Sequence, residues 1–380
     1  MIYLDNNATT HPLTEVICAV RDALERLPGN PSSAHSLGAD ARRALESSRA
    51  SVADGLGAED ASQIVFTSCG TESINTAFSL LLSEKVSRIV ISTVEHSAVL
   101  QAADRWAGGR VVRHVPVSED GVFDLDALEN FIADAPSFVS LVLANNETGV
   151  LADIAAAAKI CRRFGALLHI DAVQAAGKAR LKLAELECDA ASLSAHKFHG
   201  PPGCGILFLR ASGGLNLGGR PLLPGHQENG LRGGTHNLPA IVGTAIAVNS
   251  LPKSETDFAA VGRLRDRLEK RLSSLIPGSE IHGARAPRLS NTTSLYCPER
   301  DAADLVARLG QAGLAVSAGA ACTTGGAPSH VIRAMGFSPE RANSTLRFSL
   351  SRFSTENEVD EAARLVAQVF HNTLPTPQCV

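Results

Sequence analysis

The sequence predicts an α/β protein: a mostly parallel sheet covered on both faces by helices, joined to a smaller α+β unit. Two observations carry this. Between about residues 60 and 210, short continuously apolar runs alternate with segments of helical periodicity, the pattern of strands buried on both faces. Past about residue 253 the alternation gives way to longer helices and a few separate strands.

Taken in order, Ile64 to Ser68, Arg88 to Thr93, Phe138 to Ala144, Ala166 to Asp171, Ala190 to Ser194 and Gly205 to Leu209 read as strands. Ser73 to Leu82 and Ile154 to Phe164 carry apolar residues at helical spacing and read as helices between them. The Gly- and Pro-containing stretch Ser212 to Asn237 interrupts the pattern as a long functional loop or hairpin, and a helix follows from about Pro239 to Ser250. The polar segment Lys253 to Asp257 marks a boundary. Beyond it come a helix (Phe258 to Leu275), a strand (Thr293 to Tyr296), a helix (Ala302 to Ala312), two strands (Leu314 to Ser317 and Thr345 to Leu350) and a last helix (Glu356 to Asn372). The tail after Thr373, with two prolines, is expected to be disordered.

The 380 residues carry 35 basic and 39 acidic side chains, a net charge of −4, and 44% are hydrophobic. That length gives one large or two medium domains with ample core. With no basic excess or stripe, nucleic-acid binding is not expected, because phosphate contacts need clustered Lys and Arg. Met1-Ile-Tyr-Leu-Asp5 puts no basic segment ahead of an apolar run, and no stretch approaches the roughly 20 apolar residues of a membrane span. A cytoplasmic protein away from membranes is the expectation. Eight cysteines, at 18, 69, 161, 188, 204, 297, 322 and 379, are dispersed and form no Cys-x-x-Cys pair. Reduced, mostly buried thiols are expected, with neither a disulfide framework nor a metal site.

The functional signal lies where the strands end. Thr67-Ser-Cys-Gly-Thr-Glu72 follows the first strand, Glu95-His-Ser97 the second, Asn145-Asn-Glu-Thr-Gly149 the third, Asp171-Ala-Val-Gln174 the fourth and Ser194-Ala-His-Lys197 the fifth. In a parallel sheet such ends share one crevice. Singly, Asn146 suits a turn, Asp171 a helix cap and His96 a core position; five together favour a site. Gly70 and Thr71 at a helix start offer N–H groups, a hydroxyl and the positive end of the dipole to a phosphate. Lys197 is a candidate Schiff-base lysine, since a partly desolvated amine is lowered in pKa and attacks carbonyls. Asp171, one strand away, is the carboxylate a pyridoxal ring needs opposite its nitrogen. Together these groups point to pyridoxal 5′-phosphate (PLP).

These residues resemble the NifS/IscS-like cysteine desulfurases, class-V aminotransferase relatives of PLP fold type I. The likeness runs from Tyr3-Leu-Asp-Asn-Asn-Ala-Thr-Thr10 through the strand-end motifs and Ser194-Ala-His-Lys-Phe-His-Gly-Pro-Pro-Gly203. It continues through Gly230-Leu-Arg-Gly-Gly-Thr235 and Ser317-Ala-Gly-Ala-Ala-Cys322 to Leu346-Arg-Phe-Ser-Leu350. It implies a large PLP-binding domain over 15–252 with a mostly parallel seven-stranded sheet. Residues 1–14 and 253–380 would form the small domain, carrying the loop of a catalytic cysteine.

Position by position, the resemblance implies that Lys197 carries PLP and moves the α-proton. Asp171 would pair with the ring nitrogen, Gln174 with the phenolic oxygen, and His96 would stack on the ring and handle protons at the thiols. Gly70, Thr71, Ser194 and His196 would bind the phosphate, joined by Thr235 from a second subunit of a homodimer. Asn146 and Arg347 would hold the substrate carboxylate, the latter as a bidentate fork. Cys322, among small residues and glycines that favour a mobile loop, would be the nucleophile that takes sulfur from L-cysteine. L-Alanine leaves, and the Cys322 persulfide passes sulfur to an iron–sulfur scaffold protein or another thiol acceptor. Two departures stand out: Pro224-Gly-His-Gln-Glu228 replaces a Gly-Gly-Gly-Gln/His-Glu segment, which stiffens the approach to Arg232 and Thr235, and Cys69 replaces a common glycine.

Rival readings are a selenocysteine lyase, another class-V aminotransferase-like enzyme, and a catalytically silent scaffold. The first would prefer selenocysteine, and the second would not depend on Cys322. The third has no chemical need for Lys197, Asp171, Arg347 and Cys322 together.

Overall fold

The computed structural model describes residues 1–210, 219–252, 254–319 and 327–373. Cys322, part of the long Gly-rich stretch and the tail after Thr373 lie outside the described residues. In chain order the elements are β1 (Ile2–Tyr3), α1 (Thr14–Arg26), α2 (Ser36–Leu56), β2 (Ile64–Thr67), α3 (Gly70–Leu81), β3 (Arg88–Ser92), α4 (Ser97–Trp106), β4 (Val111–Val115), α5 (Leu125–Ile132), β5 (Ser137–Val142), α6 (Ile154–Phe164), β6 (Leu167–Asp171), β7 (Ala190–Ser194), β8 (Gly205–Leu209) and α7 (Leu238–Asn249). The remainder comprises α8 (Glu255–Leu275), β9 (Glu280–Ile281), β10 (Thr292–Tyr296), α9 (Ala302–Gln311), β11 (Leu314–Ala315), β12 (Ser317–Ala318), α10 (His330–Ala334), α11 (Pro339–Asn343), β13 (Thr345–Ser349) and α12 (Glu356–Asn372).

The main sheet has seven strands in the order β2-β8-β7-β6-β5-β3-β4. Strands β3 to β7 pair in parallel, while β8 runs antiparallel to both β2 and β7. Every residue of β5 and β7 is buried, as continuous apolar runs covered by helices on both faces require. Strand β4 escaped the sequence reading for the converse reason: it is the sheet edge, most of it is exposed, and Arg113 and His114 break its apolar run. Helix α2 likewise gives a weak pattern, because much of the stripe it buries consists of Gly38, Ala41, Ser48 and Ala53 rather than large side chains.

Leu314 to Ser317, which reads as one strand, is divided between two sheets. Strand β11 pairs in parallel with β1, whereas β12 joins the four-stranded sheet β12-β13-β10-β9. The division brings the start of the chain onto the smaller unit, where Leu4 packs with Leu268, Leu295, Phe348 and Val359. Two further apolar clusters cover the faces of the main sheet, one around Leu45, Val139 and Ile241, the other around Phe78, Ile89 and Phe138. No described helix is long and apolar enough to cross a membrane.

Candidate active site

The carboxyl ends of β2, β3, β5, β6 and β7 open into one cleft of about 250 Å³. Gly70, Thr71, His96, Asn146, Asp171, Gln174, Ser194, His196, Lys197 and Arg347 all line it, the last contributed by β13 of the smaller sheet. Thr235 is exposed and does not line this cleft, and Cys322 lies outside the described residues.

At one end sits the start of α3. Its N-cap residue, Cys69, is extended and offers no side-chain hydrogen bond to the first turn, so backbone N–H groups remain available there. A Cβ on Gly70 would stand 3.1 Å from Val173 Cγ2 and 3.4 Å from Ser194 Cβ, so this helix start packs directly on the residues after β6 and β7. His196 Nδ1 lies 3.1 Å from Thr9 Oγ1. Burial first, then the charge of Lys197, lowers the His196 imidazole to about 4, so it is neutral at pH 7.

Asp171 ends β6 at the floor of the cleft, 4% exposed. Its Oδ1 accepts from Val173 N at 3.0 Å, and among the described residues no cation forms an ion pair with it. Burial pushes the carboxyl up, opposed chiefly by His96; burial pushes the His96 imidazole down, opposed chiefly by Asp171. His96 Nδ1 also accepts from Ala98 N and so caps α4. Beneath them Glu95 is fully buried. Its Oε1 accepts from Ser92 Oγ (2.5 Å) and Val142 N (2.9 Å), while Oε2 has no partner, and burial drives the carboxyl up to about 8.

Lys197 Nζ donates to the backbone oxygens of Asn7 (2.8 Å) and Ala8 (2.7 Å). Gln174 Nε2 donates to the same Asn7 oxygen at 2.9 Å. Arg347 Nη2 donates to Asp5 Oδ1 (2.8 Å) and Nη1 to the Asn146 oxygen (3.3 Å), whereas its buried Nε has no partner among the described residues. The fork expected to meet a substrate is thus already half engaged by Asp5. Glu147, pushed up to about 7 by burial, accepts from Ser329 Oγ at 2.5 Å. A Cβ on Gly319 would stand 3.0 Å from Glu147 Oε2, so the described residues flanking 320–326 both abut the residue next to Asn146.

The segment before α7 is tied to the site by ion pairs. Arg232 forks onto Glu72 in the first turn of α3, at 2.7 and 3.2 Å. Glu228 accepts from Arg49 of α2 at 2.6 and 3.0 Å, from Phe66 N at 3.0 Å, and lies 2.6 Å from His236 Nε2.

Sequence reasoning missed Asn7, Glu95 and Lys178. Only the 174-to-178 spacing, which puts two side chains on one side of a turn, could have pointed to Lys178. The residues present fit PLP: a buried carboxyl with no cation paired to it among the described residues suits a pyridinium nitrogen, uncapped helix N–H groups suit a phosphate, and a lysine lines the same cleft. No group of three or more metal-ligating side chains occurs among the described residues.

The family model for "Aminotransferase class-V" matches residues 2–362. The chain is similar to the cysteine desulfurase of Trichormus azollae, 41% identical over 375 residues that cover 97% of this chain and 92% of that protein. It is likewise 41% identical to the cysteine desulfurase NifS of Azotobacter vinelandii over 374 residues, with the same coverage. A solved structure described as a NifS-like protein superposes with a TM-score of 0.87 at 35% identity, covering 98% of this chain and all of the other.

Proposed function

Because the chain belongs to the class-V aminotransferases, and within them is a PLP-dependent cysteine desulfurase of the NifS type, we propose how the residues of its cleft divide the work. When bound, PLP supplies an electron sink for bonds broken at the substrate Cα. Lys197 Nζ anchors the cofactor and takes the Cα proton of L-cysteine. Asp171 would pair with the ring nitrogen, Gln174 would donate to the phenolic oxygen and His96 would stack on the ring. The first N–H groups of α3, with Thr71, Ser194 and His196, hold the phosphate, and Thr235 of a second subunit completes that contact in a homodimer. Asn146 and the unpartnered Nε edge of Arg347 take the substrate carboxylate.

The Cys322 thiolate attacks the substrate sulfur. The Cβ–S bond breaks and leaves its electron pair on the substrate; the proton given up by the Cys322 thiol goes to Cβ, the proton held by Lys197 returns to Cα, and L-alanine leaves with a persulfide on Cys322. The anchoring of Gly319 and Ser329 against Glu147 supports this assignment, because it brings both flanks of the segment to the cleft. The persulfide sulfur then goes to a thiol acceptor such as an iron–sulfur scaffold protein. A reducing, cytoplasmic setting suits this chemistry, and the described cysteines are all free thiols. Residues 15–252 are read as the large unit and 1–14 with 253–380 as the small one, a reading supported by the β1–β11 pairing.

The observation that carries the reading is the convergence of Lys197, a buried Asp171 and an uncapped helix start in one cleft. The test is release of sulfide and alanine from L-cysteine with a thiol reductant. Equimolar products are expected, lost in Cys322→Ala; full activity without Cys322, or turnover without alanine, overturns the mechanism.

A further inference from the structure

Under the cleft lies a lysine that the mechanism above does not use. Lys178 is 7% exposed and follows Gly177, which turns the chain at φ +74°. Among the described residues no carboxylate lies within ion-pair distance of its amine. The charged and titratable groups around it are Lys197 and His196 after β7, His199 beyond them, Arg347 on β13, and Asp257 and Arg352, which line the same small cavity. All but Asp257 are basic in kind with Lys178 itself, and Asp257 is exposed on the first turn of α8.

Among the described residues its amine makes two hydrogen bonds. Lys178 Nζ donates to Asn7 Oδ1 at 3.1 Å and to Gln174 Oε1 in a short hydrogen bond. A carboxamide can be turned either way round, and only its partners decide which end is oxygen. A donor held against Gln174 Oε1 leaves the amide nitrogen as the other end. That nitrogen spends one N–H on the Asn7 backbone oxygen and keeps a second for the cleft. The same donor held against Asn7 Oδ1 turns Asn7 Nδ2 toward the Asn146 oxygen (3.1 Å) and Thr292 Oγ1 (2.9 Å). The Asn7 backbone oxygen in turn receives Lys197 Nζ.

We infer that Lys178 is a positioning residue for the desulfurase reaction: by donating to Gln174 Oε1 and Asn7 Oδ1 it sets the donor and acceptor ends of both carboxamides. One of these carboxamides meets the cofactor and the other the substrate-binding turn. Two acceptors match the two N–H groups of an uncharged amine, whereas an ammonium would carry a third donor without a partner. Burial, with Lys197 and Arg347 nearby, holds the Lys178 pKa well below its ordinary value, in keeping with that count. A neutral amine here also spares the reactive Lys197 a buried like charge.

The inference rests on the PLP reading, and its test separates the two. The visible absorbance of the holoenzyme is titrated with pH in wild type, Lys178→Met, Gln174→Ala and the double variant. Without the fixed donor from Gln174 to the phenolic oxygen, Lys178→Met is expected to move the midpoint upward by about one unit. In the Gln174→Ala background the same change is expected to add nothing further. A wild-type midpoint in Lys178→Met, or an equal shift in both backgrounds, overturns the inference. Lys178→Gln, whose shorter amide reaches at most one of the two oxygens, gives the same two outcomes if the methionine variant does not fold.

A second measurement needs no cofactor absorbance. With Lys178 neutral in the folded chain and protonated in the unfolded one, the unfolded state binds one more proton, so this group's contribution to stability rises with pH. On the full chain freed of cofactor, wild type is therefore expected to gain stability relative to the Lys178 variant as pH climbs from about 7 to 10. Parallel curves overturn the uncharged amine. A wild-type protein with no visible cofactor refutes the PLP reading instead, and this comparison still decides whether the Lys178 amine is uncharged.

Discussion

Glu95 shows how a single buried side chain makes the site sensitive to pH. Its carboxyl, pushed up to about 8 from an ordinary 4.5, is protonated when folded at neutral pH and ionised when unfolded. The folded state therefore holds the extra proton, and this group's contribution to stability is lost as pH rises through the window from about 4.5 to about 8. Glu95→Gln, which mimics the protonated form, is expected to gain on wild type across that window by at most about 1.4 kcal/mol per pH unit. Thermal unfolding at pH 5 and pH 8 reads the difference, and equal differences at both would mean that Glu95 is ionised in the fold. Lys197→Ala is expected to abolish both the yellow colour and sulfide release, read by absorbance of the purified protein. Lys197 and Asp171 were legible in the sequence because their chemistry announces itself beside strand ends. Asn7 and Lys178 were not, because what they do depends on partners up to 342 residues away, which no local pattern encodes.

At the scale of elements, the 145–149 turn shows how a loop is made rigid enough to hold a substrate. Asn145 Oδ1 accepts from Glu147 N and Thr148 N, each at 2.9 Å, and Asn145 Nδ2 is anchored on the Val94 oxygen at 3.0 Å. Gly149 closes the turn at φ +78°, where a Cβ would stand 2.8 Å from Thr292 Cβ. Gly149→Ala is accordingly expected to cost about 1–3 kcal/mol and to raise KM for L-cysteine by displacing Asn146, measured by denaturant unfolding and steady-state kinetics. An unchanged KM with the stability lost would confine the effect to packing. Central strands were readable because burial on both faces imposes one continuous apolar run. The edge strand β4 and the division of Leu314 to Ser317 between β11 and β12 were not, since hydrogen bonding to neighbours rather than hydrophobicity defines them.

Across the whole molecule, Asn7 joins the two sheets at the cleft. Besides its contacts to Gln174, Lys178 and Lys197, its backbone N–H donates to Ser349 Oγ at 2.9 Å and its side chain reaches Thr292 and Asn291. Asn7→Ala removes the side-chain contacts and leaves buried partners unsatisfied, so a loss of about 2–3 kcal/mol is expected, read as a lower denaturation midpoint. The pairing of β1 with β11 carries this dependence back to synthesis on the ribosome. Residues 2–7 emerge well before the later strands, yet Asn7 waits for Ser349, 342 residues later, an interval on the order of 20–70 s at ordinary translation rates. The main sheet can assemble in that time, but the floor under Lys197 cannot. The nascent chain therefore passes through a stage with a folded scaffold and an unfinished pocket, and capture of the cofactor belongs to the period after the last strand has been made.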